Sequence, residues 1–210
     1  AVLGEVAMVS SFGADSAVLL HMVAQVDPSL PVYFLETGKH FPETLSYVET
    51  LKKQLGLLNV HAIHPNPDDV KRFDPNGDLW ETDPDSCCHI RKTEPLEKVL
   101  SGYGGWVTGR KRFQASTREK MPVFEAVGPR IRINPLAAWG ADEIAAYMDE
   151  HGLRQNPLVA YGYLSIGCFP CTQPVAVGSD PRSGRWAGQA KTECGIHLPG
   201  AFGEGEAKIS

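Results

Sequence analysis

Short apolar segments alternate with helical patterns along most of the 210-residue chain, and this alternation restricts its fold more than any other feature. Strands that alternate with helices form a parallel sheet with right-handed crossovers, in the α/β class. The sequence predicts strands at 5–10, Val32–Leu35, 59–64, 106–109 and 130–134. It predicts helices at 17–26, Pro42–Leu55, 88–100 and Ala141–Glu150.

Two stretches lack such a pattern. Residues 66–85 hold seven acidic and two basic side chains, with several Pro and Gly residues, and we expect a long loop or lid there. From residue 155 onward regular periodicity fades, which predicts an irregular C-terminal tail. At this length the chain can hold one sizeable domain with a small appendage.

Composition excludes some classes of function. A net charge of −5 argues against a general nucleic-acid-coating surface. No apolar run reaches the length of a membrane span, and no signal peptide is recognisable. Five cysteines are too few for a dense disulfide framework, which favours a reducing cytoplasm. The oligomeric state stays open, with a homo-oligomer as one alternative.

The segment Ser10-Ser-Phe-Gly-Ala-Asp-Ser16 lies between a predicted strand and a predicted helix. Free backbone N–H groups and the helix dipole make such a position an anion site. Gly13 would let a phosphate approach the backbone, and Ser10, Ser11 and Ser16 could supply hydroxyl groups. The alternative is a plain turn with a capping side chain.

Other candidate residues follow the strands. Open α/β sheets bind ligands at the carboxyl edge, where Leu35 and Gly38 end the second strand. The fourth strand is followed by Gly109, Arg110 and Arg118, and arginine suits phosphate and sulfate oxygens. A glycine turn and a solvated basic run are the alternatives.

Four cysteines form two pairs, Cys87-Cys88 and Cys168-x-x-Cys171, about eighty residues apart. Four thiolates could hold zinc or an iron–sulfur centre, although an adjacent pair is unusual for zinc. Buried free thiols or disulfides are the alternatives. Lys92 follows Cys88 at i+4, so a helix would place its ammonium on the face of that cysteine.

The fifth cysteine, Cys194, has no partner at ligand spacing and lies in a segment that reads Lys191-Thr-Glu-Cys-Gly-Ile-His197. A thiolate is the reactive form of cysteine, and nearby cations lower the thiol pKa. Lys191 and His197 stand three residues on either side and could supply that charge. An idle surface cysteine is the alternative.

These motifs carry two resemblances. The loop at Ser10–Ser16 resembles the S-G-G-x-D-S loop of the adenine-nucleotide α-hydrolase (PP-loop) superfamily, with Phe12 and Ala14 as departures that argue against ATP pyrophosphate cleavage. The set Cys-Cys-x-x-Arg-Lys, Cys-x-x-Cys and Lys-Thr-Glu-Cys-Gly-Ile-His resembles the assimilatory adenylyl-sulfate (APS) reductases. The combined motif is highly specific, and the similarity runs from Ser10 to His197.

The second resemblance implies a site and a reaction. It implies a PP-loop-like fold, a [4Fe-4S] cluster on Cys87, Cys88, Cys168 and Cys171, and attack by Cys194 on the sulfur of APS. Sulfite and AMP are the implied products, and thioredoxin is the implied reductant. The residues implied to bind substrate are the phosphate-loop and strand-end residues above, with Lys92, Arg110, Arg118, Arg182, Arg185 and His197.

The resemblance also implies a division of the chain and leaves rivals. Residues 1–154 would form the nucleotide-binding α/β part, and residues 155–210 would complete the cluster site and carry the nucleophile within the same domain. A 3′-phosphoadenylyl-sulfate (PAPS) reductase or a dual-specificity enzyme is the nearest rival. A PP-loop thiolase or synthetase and a non-catalytic zinc-stapled nucleotide-binding module are the others.

Overall fold

Six short strands form one sheet in the computed structural model, which describes residues 3–189 and 191–197. The order across the sheet is β3-β2-β1-β4-β6-β5, and every neighbouring pair is parallel except β5 and β6. The strands are β1 (Val6–Val9), β2 (Val32–Leu35), β3 (Val60–Ile63), β4 (Gly105–Thr108), β5 (Phe124–Val127) and β6 (Arg130–Ile133).

Helices cover both faces of the sheet. They are α1 (Ser16–Val26), α2 (Pro42–Leu55), α3 (Pro67–Phe73), α4 (Leu79–Thr82), α5 (Pro84–Cys88), α6 (Glu94–Leu100) and α7 (Ala141–Glu150). One core packs α1, α2 and α7 against Met8 and Phe34, and the other packs α6 against Leu35 and Trp106. No helix in the described part of the chain is both long and apolar enough to cross a membrane.

The α/β prediction is confirmed, and β2, α2 and α7 have the predicted bounds. Helix α2 has Pro42 in its first turn and ends at Leu55. Gly56 caps its C-terminus with φ of 65°, the left-handed conformation that glycine favours. The strand β5 was not predicted. It pairs antiparallel with β6 through a two-residue turn, and its Phe124 is 64% exposed, so no burial pattern marks it.

The prediction of a long loop at 66–85 is wrong, because α3, α4 and the start of α5 occupy this segment. Its polar residues cap helices instead of interrupting them. The Asn66 side chain accepts a hydrogen bond from the Asp68 N–H, and the Asp83 side chain accepts bonds from the N–H groups of Asp85 and Ser86. The polar residues that suggested a loop are therefore, in part, the N-caps of short helices.

The helix predicted at 88–100 is part of a longer helical path. A π-helical turn, His89–Thr93, joins α5 to α6, and the Glu94 N–H bonds to the His89 carbonyl. Pro95 has no N–H to donate to the Arg91 carbonyl, so the regular α-helical bond is missing at this point. Single π-helical turns of this kind are frequent at functional sites.

The strand order places a switch point beside β1. From β1 the chain continues to β2 and β3 on one side, and it then crosses to β4 on the other side. In open α/β sheets ligands bind in the crevice at such a point, at the carboxyl ends of the strands. The segment at Ser10–Ser16 follows β1 and Gly109 follows β4, so both lie at this crevice.

Candidate active site

A cavity of about 380 Å³ opens at the carboxyl edge of the sheet. The segment after β1, the π-helical turn and the C-terminal segment 191–197 all contribute to its wall. Its lining includes most of the predicted site residues, namely Ser10, Ser11, Gly13, Ser16, Leu35, Lys92, Arg118, Arg182, Arg185, Cys194 and His197.

The segment Ser10–Ser16 keeps a glycine-like backbone without a glycine at its third position. Phe12 has φ of 49°, and its ring is fully buried, 5.6 Å from the Phe34 ring centroid. The Phe12 N–H donates to Ser10 Oγ at 3.2 Å, and Asn156 Nδ2 donates to the Phe12 carbonyl at 3.0 Å. Packing in the core and the hydrogen bond from Asn156 thus hold Phe12 in a left-handed backbone conformation, which is costly for residues other than glycine.

Two predicted residues that do not line the first cavity line a second, smaller one of about 110 Å³. Gly109 and Arg110 lie there with Lys111, whose ammonium is 2.7 Å from Asp15 Oδ2. Arg110 pairs with Glu125 and donates from Nε to Asn134 Oδ1 at 3.2 Å. Lys111 was not predicted as a site residue, because its burial (1% exposed) follows from the fold and has no signal in the sequence.

The four paired cysteines come together although eighty residues separate the pairs. Cys87 and Cys88 end α5, and Cys168 and Cys171 flank a 3₁₀ turn; all four are free thiols. Burial raises the pKa of Cys87 to about 11, and Cys168 and Cys171 act on it in the same direction. Within residues 3–189 and 191–197, no group of three or more His, Cys, Asp or Glu side chains is arranged to hold a single metal ion.

A buried polar network of Thr37, Arg91 and Asp74 contacts Cys168. Thr37 Oγ1 lies 3.2 Å from Cys168 Sγ, and the Thr37 carbonyl accepts a hydrogen bond from Arg91 Nη1 at 2.7 Å. Arg91 Nη2 in turn lies 2.6 Å from Asp74 Oδ2, and the Asp74 side chain is 0% exposed. Gly38 is exposed, and a Cβ on it would lie 3.6 Å from Arg91 Nη1. It was predicted as a site residue but does not line the cavity.

Lys92 and Cys194 line the same cavity, and each acts on the pKa of the other. Burial alone would lower the pKa of Lys92, but the thiolates of Cys168, Cys194 and Cys88 outweigh it and raise this pKa. A hydrogen bond from Cys88, with the charges of Lys92 and Arg185, holds the pKa of Cys194 well below its ordinary value although burial opposes them. If Cys88 served as a thiolate ligand it could not donate this bond, and the two cations would then carry the effect.

Lys191 and His197 were expected to supply charge that lowers the pKa of Cys194, but the structure gives both side chains other surroundings. Lys191 forms an ion pair with Asp85 and lies 5.7 Å from the Trp186 ring centroid. Burial first, and then Arg118, Arg110, Arg132 and Arg182, hold the pKa of His197 well below its ordinary value. A neutral imidazole cannot lower a thiol pKa by charge, so Lys92 and Arg185 take that part.

Arg185 is held at the cavity by close packing. Its guanidinium lies 4.4 Å from the Trp186 ring centroid, and a Cβ on Gly167 would overlap the guanidinium. Arg185 Nε makes one long contact, 3.4 Å to the Cys171 carbonyl. The close approach of Gly167 was not predicted, because a lone glycine after an irregular segment carries no signal of its own.

Glu193 was also not predicted, although it precedes Cys194 directly. Its carboxylate accepts hydrogen bonds from Arg118 Nε at 3.0 Å and Arg118 Nη2 at 2.9 Å. Arg182 Nη2 lies 3.4 Å from the same carboxylate and donates to the Thr192 carbonyl at 2.9 Å. Two of the predicted anion-binding arginines therefore contact the segment that carries Cys194.

The fold and the crevice define the class of protein: an adenine-nucleotide α-hydrolase-like α/β domain with a cavity lined by lysine and arginine side chains at its switch point. Comparison with known proteins gives the family. The phosphoadenosine phosphosulfate reductase domain matches residues 5–174, and this chain belongs to that family.

Relatives extend the match beyond residue 174 to the segment with Cys194. An adenosine 5′-phosphosulfate reductase of Chelativorans sp. (strain BNC1) is 64% identical over 94% of this chain and 80% of its own length. One of Rhodococcus opacus is 46% identical over 87% of this chain and 75% of its own. The predicted family and its oxidoreductase class are thereby confirmed.

Solved structures agree with the fold. A phosphoadenylyl-sulfate reductase from Candida auris, in a phosphate complex, has a TM-score of 0.69 at 27% identity and covers 81% of this chain and 83% of its own. A Candida glabrata FMN adenylyltransferase has a TM-score of 0.60 at 18% identity, over 85% of this chain and 62% of its own. The predicted PP-loop-like fold class is confirmed.

Proposed function

We propose that this chain reduces APS to sulfite and AMP in sulfate assimilation. One observation carries the proposal: Cys194, Lys92 and Arg185 line the same cavity as the segment after β1. A thiol with a lowered pKa beside two cations suits attack on an anionic, electrophilic sulfur. The relatives named adenosine 5′-phosphosulfate reductase support the choice of substrate.

In the first step, the Cys194 thiolate attacks the sulfur of APS. A sulfur–sulfur bond forms, and the bond between sulfur and the bridging phosphate oxygen breaks. AMP leaves with that electron pair, while an S-sulfocysteine remains on Cys194. Lys92, Arg182 and Arg185 would neutralise the charge that develops on the leaving phosphate.

In the second step, a thiolate of thioredoxin attacks the Cys194 sulfur. Sulfite leaves with the electron pair of the sulfur–sulfur bond, and a mixed disulfide forms. The second thioredoxin thiol then frees Cys194, so that the dithiol supplies the two electrons gained by the sulfonate sulfur. We propose the cytoplasm as the compartment, since the five cysteines are free thiols.

The nucleotide would lie along the segment after β1. Ser10, Ser11 and Ser16 offer hydroxyl groups, and Gly13 leaves its backbone open to a phosphate. A Cβ at Gly13 would lie 3.3 Å from Ser11 Oγ, so a side chain there would crowd this surface. Leu35 and the segment from Gly109 to Arg118 would complete the frame.

We further propose that Cys87, Cys88, Cys168 and Cys171 hold a [4Fe-4S] cluster. The residues fit this group, because Cys87 interacts with Cys168 and Cys171, Cys171 packs against the buried cluster that contains Cys88, and thiolates prefer soft metals. When bound, the cluster supplies a fixed anionic charge beside Lys92. Residues 155–210 would thus complete the cluster site and carry the nucleophile within the same domain as residues 1–154.

Anaerobic single-turnover experiments test the proposed reaction. The cluster-containing protein is mixed with APS in the absence of thioredoxin, and its peptides are analysed by mass spectrometry. We expect one SO₃ group on the Cys194 peptide and one AMP released per adduct. An adduct on another residue, or AMP release without an adduct, would contradict the mechanism.

Two comparisons separate the rivals. We expect a higher kcat/KM with APS than with PAPS, and the opposite order would make the chain a PAPS reductase. The anaerobically purified protein should be brown from its iron–sulfur centre. A colourless protein with bound zinc and no adduct would instead support the zinc-stapled nucleotide-binding module.

A further inference from the structure

The ion pair between Glu193 and Arg118 is buried on both sides. Both residues are 6% exposed, and the two hydrogen bonds between them form the bidentate geometry that arginine makes with a carboxylate. Arg118 Nη1 also donates to Gln114 Oε1 at 2.8 Å, so all three of its nitrogens are engaged. Three of the five N–H donors of Arg118 are therefore used within the protein.

Two cations of the cavity differ from Arg118 and Arg182, which both contact Glu193. In the part of the chain that the structure describes, neither Lys92 nor Arg185 forms an ion pair with a carboxylate. Both line the cavity with Cys194. The cations therefore divide into two sets: Lys92 and Arg185 line the cavity without a carboxylate partner, and Arg118 and Arg182 contact the segment next to Cys194.

We propose that Glu193 is a positioning residue that holds the Cys194 thiol in the cavity through Arg118, and that this pair opens when Cys194 leaves to meet its reductant. The proposal rests on the proposed function and deepens it. It also extends the expected part of Arg118, which would hold the nucleophile's segment as well as border the nucleotide.

The neighbouring residues explain why this pair would fix the thiol. Thr192 is tied to Arg182 through its carbonyl, and a Cβ on Gly195 would lie only 3.0 Å from Thr93 Oγ1. The segment therefore fits closely on both sides of Cys194, which is itself 8% exposed. Removing the Glu193 charge leaves buried arginine unpaired, which favours the open position, where water solvates the guanidinium.

Alkylation of Cys194 tests the position of the thiol without using the reaction. The cluster-containing protein is treated with N-ethylmaleimide in the absence of nucleotide, and modification of the Cys194 peptide is followed over time. We expect Glu193→Gln and Arg118→Gln each to speed this modification by about tenfold or more, since either change breaks the buried pair. Glu119→Gln, which removes an exposed carboxylate beside Arg118, should stay within about twofold.

Transient kinetics then separate the two chemical steps. At saturating APS, Glu193→Gln should slow adduct formation by about tenfold or more, while thioredoxin should reduce a preformed adduct at least as fast as in the wild type, because the variant favours the open position. Glu193→Asp keeps the charge and should recover part of the loss.

The outcomes distinguish the two proposals. Equal alkylation rates in wild type and Glu193→Gln would overturn the positioning role, whatever the activity. Equal slowing of both steps would also overturn it, because a general structural defect would produce that result. If wild type forms no adduct with APS, the proposed function fails, and the alkylation rates still decide whether Glu193 holds the segment.

Discussion

Replacing Asp74 with asparagine would test how much its buried ion pair with Arg91 contributes to the free energy of unfolding. Arg91 Nε and Nη2 lie 3.1 and 2.6 Å from Asp74 Oδ2, and the Asp74 side chain is 0% exposed. Asparagine has nearly the same shape but carries no charge, so the guanidinium of Arg91 would remain buried without a counterion.

The expected loss follows from these contacts. Breaking a buried pair by removing one partner costs roughly 3–5 kcal/mol. We expect the low end, about 3 kcal/mol, because the Thr37 carbonyl still accepts a hydrogen bond from Arg91 Nη1 at 2.7 Å. With a urea slope of about 2 kcal/mol/M, the unfolding midpoint should fall by roughly 1.5 M.

The effect should depend on pH with a definite sign. Burial raises the pKa of Asp74, but the Leu79 N–H and the Arg91 guanidinium outweigh it, and the net pKa is lowered. A lowered carboxylate pKa adds stability above the unfolded pKa, about 3.9 for aspartate, and that stability is lost as pH falls through the folded pKa. The difference between wild type and Asp74→Asn should therefore be constant from about pH 7 to pH 5 and shrink in stronger acid.

Urea unfolding of the cluster-containing protein, followed by circular dichroism at several pH values, measures this difference. The matched control is Asp78→Asn, which makes the same change at an exposed position four residues further on and should cost no more than about 0.5 kcal/mol. If both variants lose the same free energy of unfolding at neutral pH, the reasoning about the buried pair is wrong.

Three further predictions concern the cavity. Cys194→Ser should abolish sulfite formation and leave the visible absorbance of the cluster unchanged, because Cys194 is not one of the four proposed ligands. Lys92→Gln removes a cation that lowers the Cys194 pKa, so the pH midpoint for alkylation of Cys194 should rise by about one unit or more. Gly167→Ala should displace the Arg185 guanidinium and lower kcat/KM for APS by about a hundredfold, with little change in the far-ultraviolet circular dichroism spectrum.

Each of these has a clear contrary result. Loss of cluster absorbance in Cys194→Ser would make Cys194 a ligand. An unchanged alkylation midpoint in Lys92→Gln would mean that other groups set the thiol pKa. For Gly167→Ala, wild-type kcat/KM would show that Arg185 does not need its present position. The control is Gly102→Ala, because a Cβ at Gly102 meets no atom within 4 Å and its φ lies outside the left-handed region.

The sequence predicted the elements whose signals are local. Helix α2 has a proline in its first turn and a glycine at its end, and α7 has Asp142 and Glu143 in its first turn, so their bounds could be placed. The short helices α3 and α4 carry no buried residue, and β5 has an exposed aromatic. Hydrophobic periodicity could not mark elements that contribute so little to the core.

The site shows the same division. The cysteine pairs and the segment after β1 have recognisable motifs. The structure places that segment in the wall of the cavity and places Cys168 beside Thr37, which follows β2. Lys111, Gly167 and Glu193 have no motif of their own, because their roles come from burial and from partners distant in the chain. A glutamate becomes recognisable as an arginine partner only when the fold brings residues 118 and 193 together.

The order of elements along the chain also sets an order of events during synthesis. All six strands lie before residue 134, whereas Cys168, Cys171 and the segment with Cys194 come later. A nascent chain can therefore form the sheet and bury both hydrophobic cores in large part before the second cysteine pair leaves the ribosome. Loading of the proposed cluster through all four cysteines would then be a late step of maturation, carried out on a scaffold that has already folded.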